Sequence, residues 1–240
     1  MKILIYCGYQ TEWDSVDPNS SSLGGSEKAT LELFYNLKNL GHDVVLVGDG
    51  FKVYEEDIRE WRYFRQDYTT SHWDAVIAVN YAHFFQFLEQ AKLTYDKLLF
   101  WLHNEEPFYY LHGTEDRSLE RALYDDRLDR IITVSETAAN RLKSIHTTIA
   151  DKIDYMPNGL NYGATHTVGD KVPNTFMFTS CPSRGLSNVL DMWPEIVSRV
   201  PNAELHVCFP SYAEDHFLEH YEGRVQEMQS MFGMDSIVVH

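Results

Sequence analysis

The sequence predicts an α/β protein with one complete doubly wound parallel sheet followed by part of a second sheet. Short apolar runs of strand length alternate with helical patterns along most of the chain, as expected for parallel strands joined by crossover helices. A segment rich in Pro, Gly, Asn and Thr, residues 155–174, interrupts this alternation, which then restarts. Two sheet-forming regions separated by a linker follow from this pattern.

The strands are predicted from short apolar runs, which parallel strands show when both faces are buried. The first run, Lys2–Cys7, ends at Gly8. Further strands are predicted at Asp43–Val47, Asp74–Val79, Lys97–Leu102, Arg130–Val134, Thr175–Thr179, Glu204–Phe209 and Ser236–Val239.

The helices are predicted from apolar residues at helical spacing. The first starts at Gly24-Gly25, carries Leu33, Leu37 and Leu40 at i, i+4 and i+7, and stops at Gly41. Others are predicted at Ala82–Lys92, Leu119–Tyr124, Glu136–Ile145, from Leu186 to Val200 and at Tyr212–Met231. Pro194 lies inside the fifth and is expected to kink or split it. The segment Phe51–Ser71 is ambiguous and is left unassigned.

Three regions follow from these elements. Residues 1–158 form a first domain, 159–174 a linker and 175–240 a partial second domain. The last apolar run, from Ile237, has no crossover helix after it, so we expect a second domain that is cut short.

Composition excludes some classes of function. Among 240 residues, 20 Lys and Arg stand against 36 Asp and Glu, a formal net charge of −16, which disfavours nucleic acid or an anionic membrane as partner. The sequence has no transmembrane-length apolar run and no signal-peptide pattern at its start, so we expect a cytoplasmic protein. Cys7, Cys181 and Cys208 lie in apolar runs and are expected to be reduced core residues.

The segment Gly24-Gly25-Ser26-Glu27 opens the first helix. Backbone N–H groups and the positive end of the helix dipole can hold a phosphate there, and glycine permits close approach of a ligand. An ordinary flexible helix start is the alternative. A dinucleotide fingerprint would place its glycines directly after the first strand, whereas Gly24 follows Gly8 by sixteen positions, which argues against a dehydrogenase.

Polar residues follow two other strands at the edge where ligands of open α/β sheets bind. His103 could exchange a proton near neutral pH, and Asn104 and Glu105 could bond hydroxyl groups. A histidine satisfied by backbone at a strand end is the alternative. Ser135 precedes a helix, so its first interpretation is an N-cap, with a ligand contact as the second.

Arg184-Gly185 follows the first strand of the second domain and could place a guanidinium beside a diphosphate at a helix N-terminus. A solvated turn arginine is the alternative. The histidines show no metal-binding spacing, so no metal is expected. Glu214/Glu222 and Glu219/Glu227 match an E-x7-E spacing, but a solvated helix face is the favoured interpretation.

Five segments in order make the sequence similar to a known family. They are GGSEKATLELFYNLKNLGHDV, WLHNEEP, IITVSETAANRL, YMPNGL and TSCPSRGLSNVLDMWPEI. Together they resemble the retaining GT-B-fold glycosyltransferases of glycosyltransferase family 4, across nearly the whole chain. The resemblance implies two Rossmann-like domains and hexose transfer from a nucleotide-sugar donor to a glycan or other hydroxyl acceptor, with neither metal nor cofactor.

The resemblance also implies roles for individual residues. Gly24 and Gly25, with Ser26, would face the donor diphosphate and the acceptor, and His103 would lie near the transferred sugar. Arg184 would neutralise the leaving diphosphate, although the preceding TSCPS lacks the additional Arg or Lys common in the family. The family's E-x7-E motif follows an aromatic-glycine loop that this sequence lacks, so the resemblance implies truncation of the C-terminal domain.

Two hypotheses of different class therefore remain open. The first is a glycosyltransferase or a fragment of one. The second is a catalytically silent nucleotide-sugar or carbohydrate-binding module, completed by a partner chain that supplies the missing half of the donor site.

Overall fold

The computed structural model describes residues 1–13, 16–18, 23–51, 57–60, 71–81, 84–85, 88, 93–104, 122–159 and 171–240. Side chains are described for these residues except 9–13, 49–51, 59–60 and 212. The chain divides into two compact units, Met1–Leu160 and Asn161–His240.

The first unit is built on a parallel sheet. Within the described residues its strands are β1 Lys2–Trp13, β2 Asp43–Phe51, β3 Ile58–Glu60, β4 His72–Val79, β5 Thr94–Leu102, β6 Arg130–Thr133 and β7 Ile153–Tyr155. Their order across the sheet is β3-β2-β1-β4-β5-β6-β7, and each neighbouring pair is parallel. This is the doubly wound α/β architecture that the alternation predicts.

Both faces of this sheet are buried, as β1 illustrates. Ile3, Ile5 and Cys7 belong to one apolar cluster, whereas Leu4 and Tyr6, the residues between them, belong to another. Successive side chains of a strand point to opposite faces, so the continuous apolar run reflects burial on both sides. The buried position of Cys7 is as predicted, whereas Cys181 and Cys208, also expected in the core, are partly exposed.

Helix α1, Gly25–Asn39, covers one face of the sheet. It ends before Gly41, whose φ of +85° suits a helix terminus. The last residue of the predicted apolar face is not buried, because Leu40 is 74% exposed. The buried residues of the helix are Thr30, Leu31 and Phe34. The helix has already ended at position 40, so the i+7 position no longer points at the sheet.

The first unit departs from the prediction at its short strands. β3 lies in the unassigned segment, and β7 includes Tyr155, the start of the predicted linker segment. Helix α2, Glu136–Ile145, has the predicted bounds. The predicted helices at Ala82–Lys92 and Leu119–Tyr124 lie largely outside the described residues; Ala122–Tyr124 forms a turn of 3-10 helix.

The second unit carries a parallel sheet of order β10-β9-β8 within the described part of the chain. Its elements are β8 Thr175–Thr179, α3 Leu186–Arg199, β9 Glu204–Cys208, α4 Glu214–His220, α5 Glu222–Phe232 and β10 Ile237–Val239. Leu190 and Trp193 of α3 pack against Leu205 and Val207 of β9 in its core. A smaller Rossmann-like sheet follows the complete one, as predicted.

Two helix predictions in this unit are wrong in part. Pro194 does not split α3, which continues as one helix from Leu186 to Arg199, because the fully buried Trp193 anchors it against the sheet and only one backbone donor is lost. The helix predicted at Tyr212–Met231 is two helices, which meet at Tyr221.

The glutamates of the E-x7-E spacing are all exposed, as predicted: Glu214, Glu219, Glu222 and Glu227. No helix in the described residues is long and apolar enough to span a membrane.

Gly8 interrupts the regular pairing of β1. The register with β2 shifts between Tyr6 and Tyr9, and Gly8 has a φ of +71°. A Cβ atom at this position would lie 2.2 Å from the ring of Tyr81. The strand therefore continues past its predicted end, and glycine is needed there for both the backbone conformation and the approach of the tyrosine.

Replacing Gly8 by alanine should destabilise the first unit more than the same change at Gly41. Both glycines have positive φ, which costs alanine about 1–2 kcal/mol. A Cβ at Gly41 meets open space, whereas one at Gly8 collides with a ring. We expect Gly8→Ala to lower the free energy of unfolding by about 3 kcal/mol or more in urea titrations. Equal losses in the two variants would contradict the steric argument.

Candidate functional site

The candidate site lies at the carboxyl edge of the first sheet. β1 pairs with β2 on one side and with β4 on the other, so the strand order reverses between β1 and β4. In open α/β sheets ligands bind outside the carboxyl ends of the strands at this reversal. Gly8 lies two residues beyond the last β1–β4 pair, Tyr6 with Ala78; Asn80 and Tyr81 follow β4, and His103 follows β5. These residues therefore border the expected ligand crevice.

The first turn of α1 offers backbone donors to this edge. Gly24 is the N-cap residue with extended backbone, and as a glycine it has no side chain to cap the helix. The first N–H groups of a helix lack intrahelical acceptors, and a Cβ at Gly25 would meet nothing within 4 Å. The side chain of Glu27 folds back toward Gly24, where a Cβ would lie 2.4 Å from its Oε2. An anion bound at this helix start would therefore lie close to the negatively charged carboxylate of Glu27.

His103 is half-buried in the loop after β5. Its ring lies 4.2 Å from the ring of Trp101, measured between centroids. Its Nε2 atom is buried and has no hydrogen-bond partner among the described residues. Burial lowers the pKa of His103 from 6.5 to about 4, so the imidazole is neutral at neutral pH. A neutral imidazole presents one donor and one acceptor.

Asn80 connects His103 to α1, a role that sequence reasoning missed. Its Oδ1 accepts from the backbone N–H of His103 at 2.7 Å, and its Nδ2 donates to Ser26 Oγ at 3.4 Å. Its own N–H donates to the carbonyl of Trp101 at 2.9 Å. The available sequence signal was a polar residue directly after the apolar run of β4.

Tyr81 is the second missed residue at this edge. Burial, followed by the negative charges of Glu27 and Cys7, raises the pKa of the Tyr81 hydroxyl well above its ordinary value. The hydroxyl therefore stays protonated and can act as a hydrogen-bond donor. Its ring occupies the space that Gly8 leaves open.

Ser135 is an N-cap residue, as its first interpretation predicted. Its Oγ accepts from the N–H of Ala138 at 3.2 Å, and Thr133 Oγ1 donates to the Ser135 carbonyl at 2.9 Å. The side chain is exposed at the carboxyl end of β6. Among the described residues no acceptor for the hydroxyl hydrogen is found, so the hydroxyl can donate to a ligand.

Arg184 belongs to the second unit. It ends the 3-10 turn Pro182–Arg184, and Gly185, with a φ of +115°, begins α3 without a side-chain cap. Its side chain is exposed and forms no ion pair with a described residue. A guanidinium and uncapped helix N–H groups thus occur together at the carboxyl end of β8.

The predicted residues are brought together only in part. Ser26, Asn80 and His103 form one hydrogen-bonded group, with Gly24 and Gly25 in the same helix start. Asn104 is partly exposed beside His103, and Glu105 lies outside the described residues. Ser135 is on β6, the neighbour of β5. No group of three or more His, Cys, Asp or Glu within the described ranges is placed to hold a metal ion.

Comparison with known proteins gives structural but no sequence matches. No family model matches the chain, and no curated protein sequence matches it. The crystal structure of HepE from Anabaena in complex with UDP aligns with a TM-score of 0.63 at 12% identity, covering 100% of this chain and 68% of HepE. The α,α-trehalose 6-phosphate synthase of Burkholderia multivorans aligns with a TM-score of 0.59 at 12% identity, covering 99% of this chain and 71% of that one.

Identities this low establish the fold alone. The chain has a GT-B-like α/β architecture, with a larger parallel-sheet unit followed by a smaller one, in agreement with the sequence-based prediction.

Proposed function

We propose that this protein is a glycosyltransferase that moves a hexose from a nucleotide-sugar donor to a hydroxyl of a glycan or other acceptor, with retention of configuration. The observation that carries the proposal is the hydrogen-bonded group of Ser26, Asn80 and His103 at the strand reversal. The likeness to HepE in complex with UDP and to an α,α-trehalose 6-phosphate synthase supports this choice of chemistry.

Backbone N–H groups at a helix start, rather than a metal ion, would hold the donor diphosphate, and each unit offers such a start. In the first unit Gly24 has no side chain to cap α1, and in the second Gly185 has none to cap α3, which begins beside Arg184. Negative charge grows on the leaving diphosphate as the bond to the sugar breaks. A guanidinium and oriented N–H groups stabilise that charge without reorganisation.

His103 would contact a hydroxyl of the transferred sugar. The residue is partly exposed and its ring is neutral, so it can form a hydrogen bond without carrying charge. In the proposed transfer, the acceptor oxygen bonds to the anomeric carbon on the face from which the diphosphate leaves. The hydroxyl proton passes to the diphosphate oxygen. Asn104, Glu105 and Ser135 would contact hydroxyl groups.

The cytoplasm is the proposed site of action, where nucleotide sugars are available as substrates. A silent binding module that requires a partner chain for turnover remains the alternative function. The two differ in one measurable property, which is turnover by the isolated chain.

Alanine substitutions at His103 and Arg184 should each reduce turnover by roughly 100-fold, the usual cost of losing one group that stabilises a transition state. Calorimetry with UDP- and GDP-sugars identifies the donor, and a donor-hydrolysis assay then measures turnover. His220→Ala and Arg199→Ala are suitable controls, because both side chains are exposed on helices of the second unit. Full activity in the double variant His103→Ala/Arg184→Ala would refute the assignment. Tight binding without turnover by the unaltered chain would favour the binding module.

Replacing His103 should also change how stability depends on pH. The unfolded chain takes up a proton at the ordinary histidine pKa of 6.5, whereas the folded protein does so only near 4. The free energy of unfolding therefore decreases as the pH falls from 6.5 toward 4. Below pH 4 the pKa difference of His103 causes no further loss of stability. We expect His103→Gln to lose less stability than the unaltered protein across this window. Urea unfolding on both sides of the window tests this, with His72→Gln, whose side chain is 52% exposed, as control. Parallel losses in all three proteins would contradict the burial of a neutral imidazole.

Ser135 allows capping and ligand contact to be separated. Ser135→Ala should cost about 1 kcal/mol in unfolding free energy and raise the KM for one substrate, because it removes the cap and a donor. Ser135→Asp should recover the stability but not the KM, since a carboxylate accepts without donating. Ser144→Ala, in the same helix, is the control. An unchanged KM in both Ser135 variants would assign the residue to capping alone.

A further inference from the structure

Asn80 is the most constrained polar residue at the carboxyl edge of the first sheet. Its side chain is 1% exposed, and its φ of +59° lies in the left-handed region. Asparagine tolerates this conformation better than other residues with a Cβ. The position therefore requires a small polar side chain that is compatible with a left-handed backbone.

Both polar atoms of the Asn80 side-chain amide form hydrogen bonds. Oδ1 accepts the N–H of His103, 23 positions away, at 2.7 Å, and Nδ2 approaches Ser26 Oγ, 54 positions away, at 3.4 Å. The first distance is that of a strong hydrogen bond and the second that of a weak one. The main chain of His103 is consequently held firmly, and the helix start is linked to it more loosely.

Backbone conformation alone does not account for this arrangement. Asn174 and Asn202 have the same left-handed φ of +61°, but both are exposed in the second unit. Glycine would satisfy the conformation at position 80 and leave the N–H of His103 without its acceptor. A protonated aspartate would keep both functions without a buried charge, since its carbonyl oxygen can accept from His103 and its O–H can donate to Ser26 Oγ.

We propose that Asn80 is a positioning residue, which fixes the main chain of His103 relative to the first turn of α1 so that the imidazole and the helix N–H groups act on one substrate. This role rests on the proposed glycosyl transfer. Asn80 acts through His103 and does not itself contact the reacting atoms. Small displacements of a positioned group cost large factors in rate, so the effect should appear in kcat.

The test compares Asn80→Gly, Asn80→Asp and the control Asn202→Gly by amide hydrogen exchange and by kinetics. In Asn80→Gly we expect the His103 amide to exchange about tenfold faster, as loss of one hydrogen bond predicts, while amides in the centre of β5 keep their protection. Turnover should fall by at least about tenfold, with the donor KM changed by less than about threefold. Asn80→Asp should retain the His103 protection and most of the turnover, and Asn202→Gly should match the unaltered protein in both measurements.

The exchange measurement needs no substrate, so it separates this role from the proposed function. Unchanged protection of the His103 amide in Asn80→Gly overturns the proposal. Loss of that protection in both Asn80→Gly and Asn80→Asp also overturns it, because it would indicate that any change at position 80 destabilises the surrounding structure. Lost protection with unchanged kcat also overturns it. If Asn80→Gly does not fold, retained protection and turnover in Asn80→Asp support the proposal, and loss of either refutes it. Absence of turnover with every nucleotide sugar in the unaltered protein would refute the glycosyl-transfer function and, with it, the catalytic consequence of the positioning.

Discussion

The parallel pairing of β1 with β4 is the constraint on which the candidate site depends. Ile3 to Tyr6 lie opposite Ala75 to Ala78, while β1 pairs with β2 along its other edge. The sheet therefore extends in two directions from β1, and a crevice opens at the carboxyl ends where the connections diverge. The break in pairing at Gly8 lets the Tyr81 ring approach β1 at this point.

Burial determines the chemistry of the groups around that crevice. Burial lowers the pKa of His103 to about 4 and raises the pKa of Tyr81 above its ordinary value, so both groups stay uncharged over a wide range around neutral pH. Asn80, being uncharged, supplies both a donor and an acceptor without the cost of a buried ion. The edge of the sheet therefore presents neutral, directional hydrogen-bonding groups, which suit sugar hydroxyls.

For the proposed nucleotide-sugar donor, an acidic protein would need local sources of positive potential. The formal net charge of −16 works against an anionic ligand at long range. At short range, the positive ends of helix dipoles offset this negative potential without additional basic side chains. Both α1 and α3 begin at a glycine N-cap, which has no side chain to cap the helix. Arg184 adds a positive charge where α3 begins, whereas the Glu27 carboxylate offsets part of the positive potential at the start of α1.

Local pattern determined the element types and several of their bounds, because apolar spacing is a property of neighbouring residues. β8 and α2 have the predicted limits, and Ser135 caps α2 as its position before the helix indicated. The three-residue strands β3 and β7 lacked a sufficient apolar run, so only pairing with neighbouring strands identifies them. The sequence alone placed His103 at a strand end and glycines at a helix start. Only the tertiary structure decided that Asn80 joins them, because its partners lie 23 and 54 positions away and hydrogen bonds at that separation leave no periodic trace in the sequence.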